Sequence, residues 1–161
     1  MGRHATLAAA LLAVGAGPIA AQEHMHEEMH EQMMSVEYLG DMGELPFSEA
    51  VRVGPMLYLS GQIGNPPGVM GLVEGGIQPE TRQTLENIKA TLEKYGSSLD
   101  EVVKCTVFMA DIAEWPAMNE VYVTYFTRHK PARSAVAGSG LALGARVEIE
   151  CIATVGMTPG G

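Results

Sequence analysis

The sequence predicts an α/β or α+β sandwich: one β-sheet with two helices packed on a single face. Three observations predict it. Short apolar runs with period-two alternation recur along the chain, as half-buried strands require. Between them lie two segments whose apolar residues fall at helical spacing. The length, 161 residues with 47% hydrophobic and 18% charged, suits one folded domain and not two.

The first residues stand apart from that domain. A short basic start, Met1-Gly2-Arg3-His4, precedes the apolar run 5–16 and the small-residue stretch ending in Ala20-Ala21. This is the layout of a secretory signal peptide cleaved after Ala21. The run is shorter than the roughly 20 apolar residues of a membrane span. The expectation is therefore an exported protein, periplasmic or secreted, that leaves the membrane once 1–21 is removed. Residues 22–36 read as a His/Met/Glu-rich tether. It contains a literal His-Glu-x-x-His, from His26 to His30. A metalloprotease motif of that kind works only on a buried helix with a third ligand, which this polar segment does not promise. Copper, nickel or zinc at His24, Met25, His26, Met29 and His30 is expected only as an accessory property of soft and borderline ligands.

The domain is expected over 37–161. Runs at 51–53 and 56–60 flank Gly54-Pro55 and read as a hairpin. The Gly/Pro-rich stretch 64–76 reads as a loop with one short strand near 69–73. Pro79 opens a helix that carries Leu85, Ile88, Leu92 and Tyr95 on one stripe and closes at Gly96. A strand follows over 102–109, with Cys105, Val107 and Met109 on one face and Lys104, Thr106 and Phe108 on the other. A second helix is expected over about 113–127, with Asp111 near its cap and Trp115, Met118, Tyr122 and Tyr125 along its stripe. Two last strands, about 133–137 and 145–155, are joined by a glycine-rich link.

The final strand is the most informative. Val147, Ile149, Cys151 and Ala153 alternate with Glu148 and Glu150, so the two carboxylates point away from the helices. That face is either plain exposed sheet, with Lys104 or Arg133 as ion partners, or the wall of a polar site covered by another subunit. Cys105 and Cys151 both face the core on strands; in an oxidising compartment they could pair, but bridging neighbouring strands often strains disulfide geometry, and buried free thiols are the preferred expectation. The net charge of −9 argues against a nucleic-acid partner. Glu23, Glu27, Glu28 and Glu31 place much of that charge in the tether.

Five segments in register resemble the reactive intermediate deaminase family, also called the YjgF family. They are Ser60-Gly61-Gln62-Ile63, Gln83-Thr84-Leu85-Glu86-Asn87-Ile88, Met118-Asn119-Glu120-Val121-Tyr122, Pro131-Ala132-Arg133-Ser134 and Gly144-Ala145-Arg146-Val147-Glu148-Ile149-Glu150. The resemblance implies an α+β, chorismate-mutase-like fold assembled as a homotrimer with active sites between subunits. It also implies hydrolysis of small enamines and imines of the 2-iminopropanoate and 2-iminobutanoate type to ketoacid and ammonia, with no cofactor. By the same match, Arg133 anchors the substrate carboxylate and Glu148 positions water. Phe47, Ser60, Gly61, Asn119 and Ala135 would line the cleft. An arginine fork suits a carboxylate bidentately. An imine is already electrophilic, so orientation and a positioned water suffice. The chain departs from the family pattern at Phe47, where a tyrosine is usual, and at Ala135, where a cysteine is common. Two other readings remain: a non-catalytic trimeric protein that binds small carboxylates, and, more weakly, a ribonuclease.

Overall fold

The computed structural model describes residues 22–26 and 35–157. The expected leader, and Met29 and His30 of the tether, lie outside the described residues. The chain divides into two units, Met1–Gln32 and Met33–Gly161. In the first, residues 22–26 are helical and exposed, and they carry His24, Met25 and His26. The second unit holds the sheet and its two helices.

Its strands are β1 (Val36–Leu39), β2 (Ala50–Val53), β3 (Met56–Leu59), β4 (Gln62–Ile63), β5 (Val102–Met109), β6 (Ala132–Ala137) and β7 (Val147–Thr154). The helices are α1 (Ile77–Lys94) and α2 (Trp115–Tyr122). The strands form one mixed sheet in the order β1-β2-β3-β7-β5-β6, with β4 also paired to β7. All pairings are antiparallel except β5 with β6. A parallel pair needs a crossover, and α2 supplies it.

Both helices cover the same sheet face, as the alternation predicts. Leu85, Ile88 and Leu92 of α1 and Met118, Val121 and Tyr122 of α2 share one buried cluster with Val107, Met109, Val147, Ile149 and Ala153. Helix α1 ends in a glycine C-cap: Gly96 has φ +80°, the Ser97 N–H donates to Leu92 O, and the Gly96 N–H donates to Glu93 O. Helix α2 is shorter than its stripe suggests. After Tyr122 the hydrogen bonds tighten to a three-residue spacing, from Thr124 N to Val121 O and from Tyr125 N to Tyr122 O. At its start Asp111 Oδ1 accepts the Ala113 N–H at 2.9 Å, in a short 3-10 turn over Ile112–Glu114.

Three expectations are corrected. The strand expected at 69–73 is absent; the segment is a loop tied by the Val73 N–H to Gly64 O. A strand instead begins the domain at Val36, and the two-residue β4 follows Gly61. Cys105 and Cys151 are not free thiols but a disulfide, with Cα atoms 4.2 Å apart. They face each other directly in the β5–β7 register, at the close spacing of an antiparallel pair, so no backbone movement is needed. Finally, neither Lys104 nor Arg133 forms an ion pair with Glu148 or Glu150. Lys104 Nζ donates to Ser134 Oγ and Cys105 O instead, and Arg133 lies on the opposite face.

Candidate active site

The sheet register separates the predicted site residues into two groups. Arg133 pairs with Cys105 and Ala135 with Val107, so both side chains point to the helix-covered face. Glu148 pairs with Phe108 across β5 and with Ile63 across β4, and points to the open face. Arg133 stands on the edge strand, with β5 between it and the strand of Glu148.

The first group surrounds Arg133. Its guanidinium donates from Nη1 to Asn119 Oδ1 at 2.7 Å. It lies 4.5 Å from the Tyr122 ring centre and 5.9 Å from that of Trp115. Both rings attract a cation through their faces. No carboxylate pairs with Arg133 among the described residues, although it is half-buried. The cation opens on two clefts. One, of about 550 Å³, is lined by Ile112, Ala113, Trp115, Pro116 and Ala135. The other, of about 650 Å³, includes Asn119, Tyr122, Phe126 and Lys130.

Tyr122, Trp115 and Lys130 were not singled out as site residues by the sequence; only the helical stripe pointed to the two aromatics, and it reads equally well as core. Tyr122 is 6% exposed, packs on Phe126 with ring centres 4.7 Å apart, and its hydroxyl has no hydrogen-bond partner among the described residues. Burial pushes that hydroxyl up to about 12, while the Arg133 charge pulls it down.

The second group surrounds Glu148. Strands β3 and β4 run along β7, interrupted by Ser60-Gly61. A Cβ on Gly61 would stand 2.1 Å from Glu148 Oε1, so the carboxylate occupies the space that glycine leaves. Ser60 Oγ donates to Ser48 O at 2.6 Å and the Ser60 N–H donates to Glu49 O, which fixes the break in the strand. Phe47, next to Ser48, is half exposed. Ser60 therefore spends its hydroxyl on structure.

Glu49 anchors the same corner from behind. It accepts from Lys94 Nζ at 2.6 Å and Tyr95 Oη at 2.7 Å. Burial alone would raise its pKa, but these bonds outweigh it and hold the carboxyl below its usual value. Among the described residues no group of three or more His, Cys, Asp or Glu could hold a metal ion. No described helix is long and apolar enough to cross a membrane.

Known proteins share this architecture. Residues 42–155 match a family model described as Endoribonuclease L-PSP. The 2-iminobutanoate/2-iminopropanoate deaminase of Mus musculus is 43% identical over 111 residues, 69% of this chain and 82% of that protein. A RutC family protein of Pyrococcus horikoshii is 47% identical over 108 residues, 67% of this chain and 86% of its own. Among solved structures, RidA from an Antarctic Psychrobacter aligns with a TM-score of 0.66 at 38% identity, covering 77% of this chain and 95% of that one. E. coli TdcF with bound serine aligns with a TM-score of 0.65 at 33% identity, covering 76% and 94%.

Proposed function

The chain belongs to the reactive intermediate deaminase family, whose family model carries the description Endoribonuclease L-PSP, and from that membership we propose that it hydrolyses small 2-imino acids and their enamines to 2-ketoacids and ammonia. The observation that carries the reading is Arg133: a half-buried cation with no carboxylate of its own, held by Asn119 and two aromatic rings at the mouth of two clefts. A partly buried, preoriented fork left open in this way fits the carboxylate of an imino acid. The serine bound to E. coli TdcF is a small molecule with such a carboxylate. A ribonuclease activity does not fit the charge. One arginine beside Lys130 suits a small anion, whereas a chain of net charge −9 repels a polyanion.

The reaction follows from the two groups. Arg133 binds the carboxylate and Asn119 Oδ1 keeps the guanidinium oriented. Glu148 holds a water against the imine carbon and accepts one of its protons as the oxygen adds. It then passes that proton to the nitrogen. The hydroxyl proton then moves to the nitrogen as the carbon–nitrogen bond breaks and the carbonyl forms, and ketoacid and ammonia leave. Phe47, Gly61 and Ala135 shape the walls. In one chain Arg133 and Glu148 lie on opposite sheet faces, so the site is shared: Arg133 of one copy works with Glu148 of the next, in a homotrimer. An exported location is part of the same proposal. The Cys105–Cys151 disulfide supports it, because such bonds persist in oxidising compartments.

The test is ammonia release from 2-iminopropanoate generated in situ, with Arg133→Ala and Glu148→Ala beside the wild type. Acceleration over buffer that either substitution abolishes is the expected result. No acceleration, with carboxylate binding that still needs Arg133, would leave a binding protein in place of the enzyme.

A further inference from the structure

Among the described residues, the charged side chain most completely withdrawn from solvent is Glu80, 3% exposed in the first turn of α1. A buried carboxylate is costly unless hydrogen-bonded. Its partners are two backbone amides: Oε1 accepts the N–H of Arg146 at 2.6 Å and that of Val147 at 3.2 Å. Val147 immediately precedes Glu148. On its other side Glu80 packs against Gly64, where a Cβ would stand 2.3 Å from Glu80 Cγ. Gly64 follows Ile63, the residue that faces Glu148 across β4 and β7. One side chain thus ties together the two strand ends that bracket Glu148.

Its own helix gives it a firm base. Asn87, two turns further along α1, donates to Ile63 O at 3.0 Å and to Asn65 O at 2.8 Å. The end of β4 is therefore held at two heights by one rigid element. Residues 138–146, by contrast, enter β7 through a bend that includes Leu143 at φ 55° and Gly144 at φ 76°. Where β4 turns away, Glu80 supplies the acceptor that the incoming backbone of β7 would otherwise lack.

We propose that Glu80 is a positioning residue for Glu148: through the Arg146 and Val147 amides it fixes where the Glu148 carboxylate meets the substrate. This rests on the reading that Glu148 holds the attacking water. No hydrogen bond or ion pair joins Arg133 to Glu80 among the described residues, so the tie acts on the reacting group and leaves the carboxylate anchor alone.

The experiment is steady-state kinetics of 2-iminopropanoate hydrolysis by Glu80→Ala, Glu80→Gln, Glu80→Asp and Glu148→Gln in the full assembled protein. Glu80→Ala and Glu80→Asp are expected to lower kcat about tenfold, since small misplacements of reacting groups are costly, with KM changed less than about twofold. Glu80→Gln, whose amide oxygen still accepts, restores most of kcat. Amide hydrogen exchange at residues 146 and 147 is faster in the alanine and aspartate variants alone. Full kcat in folded Glu80→Ala, an equal loss in Glu80→Gln, or a rise in KM matching the fall in kcat overturns the proposal. So does failure of both Glu80→Ala and Glu80→Asp to fold, which would make Glu80 a determinant of the fold. Activity retained by Glu148→Gln would instead remove the reading of Glu148.

Discussion

The surroundings of Arg133 and those of Glu148 solve the same problem in opposite ways. Arg133 is held by what touches it: an amide oxygen, two aromatic rings and the helix-covered face of the sheet. Glu148 is held by what is missing: its carboxylate fills the place of a side chain at Gly61, on the uncovered face. A permanent cation proposed to grip an anion gains from a crowded, partly buried setting. A carboxylate meant to handle water and a proton needs open space beside rigid backbone. On the proposed reading, the covered side serves binding and the open side proton transfer.

The covered side also holds the Cys105–Cys151 staple, level with Arg133 in the sheet register. Its two cysteines are 46 residues apart. The chain-entropy account gives such a loop about 4 kcal/mol of stability. Replacing both cysteines by alanine should therefore shift the urea midpoint strongly downward, and an unchanged midpoint would deny the staple a role. Next in size, Arg133→Lys should raise KM about a hundredfold because an ammonium cannot present the planar fork. Lysine restoring the wild-type KM would mean that charge alone matters there.

On the open side, Gly61→Ala should lower kcat about tenfold by displacing the Glu148 carboxylate, with little change in KM. A KM effect of the same size would erase the proposed division between the two sides.

The smallest effect is expected from Tyr122→Phe. The buried hydroxyl has no partner among the described residues, so removing it should leave neutral-pH stability unchanged or raise it by up to about 1 kcal/mol. The ring that meets Arg133 remains, and KM should hold. The folded chain keeps the Tyr122 proton up to about pH 12, against an ordinary value of 10.0. That contribution to stability is complete below pH 10 and is lost as pH rises from 10 towards 12. The variant should lose less over that interval; Tyr125, also raised to about 12, accounts for part of the loss that persists. Equal alkaline losses in thermal melts of the two proteins would count against this account of Tyr122.

Much of this architecture was legible because it follows periodicity. The hairpin, α1, β5 and the alternation of β7 carry unambiguous apolar patterns, and β7 alone placed Glu148 opposite the helices. Strand β1 escaped because it is four residues long and mostly exposed. Strand β4 escaped because two residues have no period. The facing of Arg133 is set by the pairing of β6 with β5, whereas Ala-Arg-Ser-Ala-Val-Ala shows no polar alternation of its own. The disulfide depended on the same kind of information, since two core-facing cysteines meet only in one register. Glu80 was hidden for a different reason. An acid in the first turn of a helix is the usual choice next to the positive end of the dipole, and nothing in the sequence marks this one as buried.

The placement of Arg133 and Glu148 on opposite faces of one sheet has a genetic consequence. In the proposed site shared between copies, each chain lends its arginine to one neighbour and its glutamate to another. Chains carrying Arg133→Ala and chains carrying Glu148→Ala, each inactive alone, then complement one another when assembled together, because some junctions join an intact arginine to an intact glutamate. Two null alleles of this gene would, in one cell, restore function.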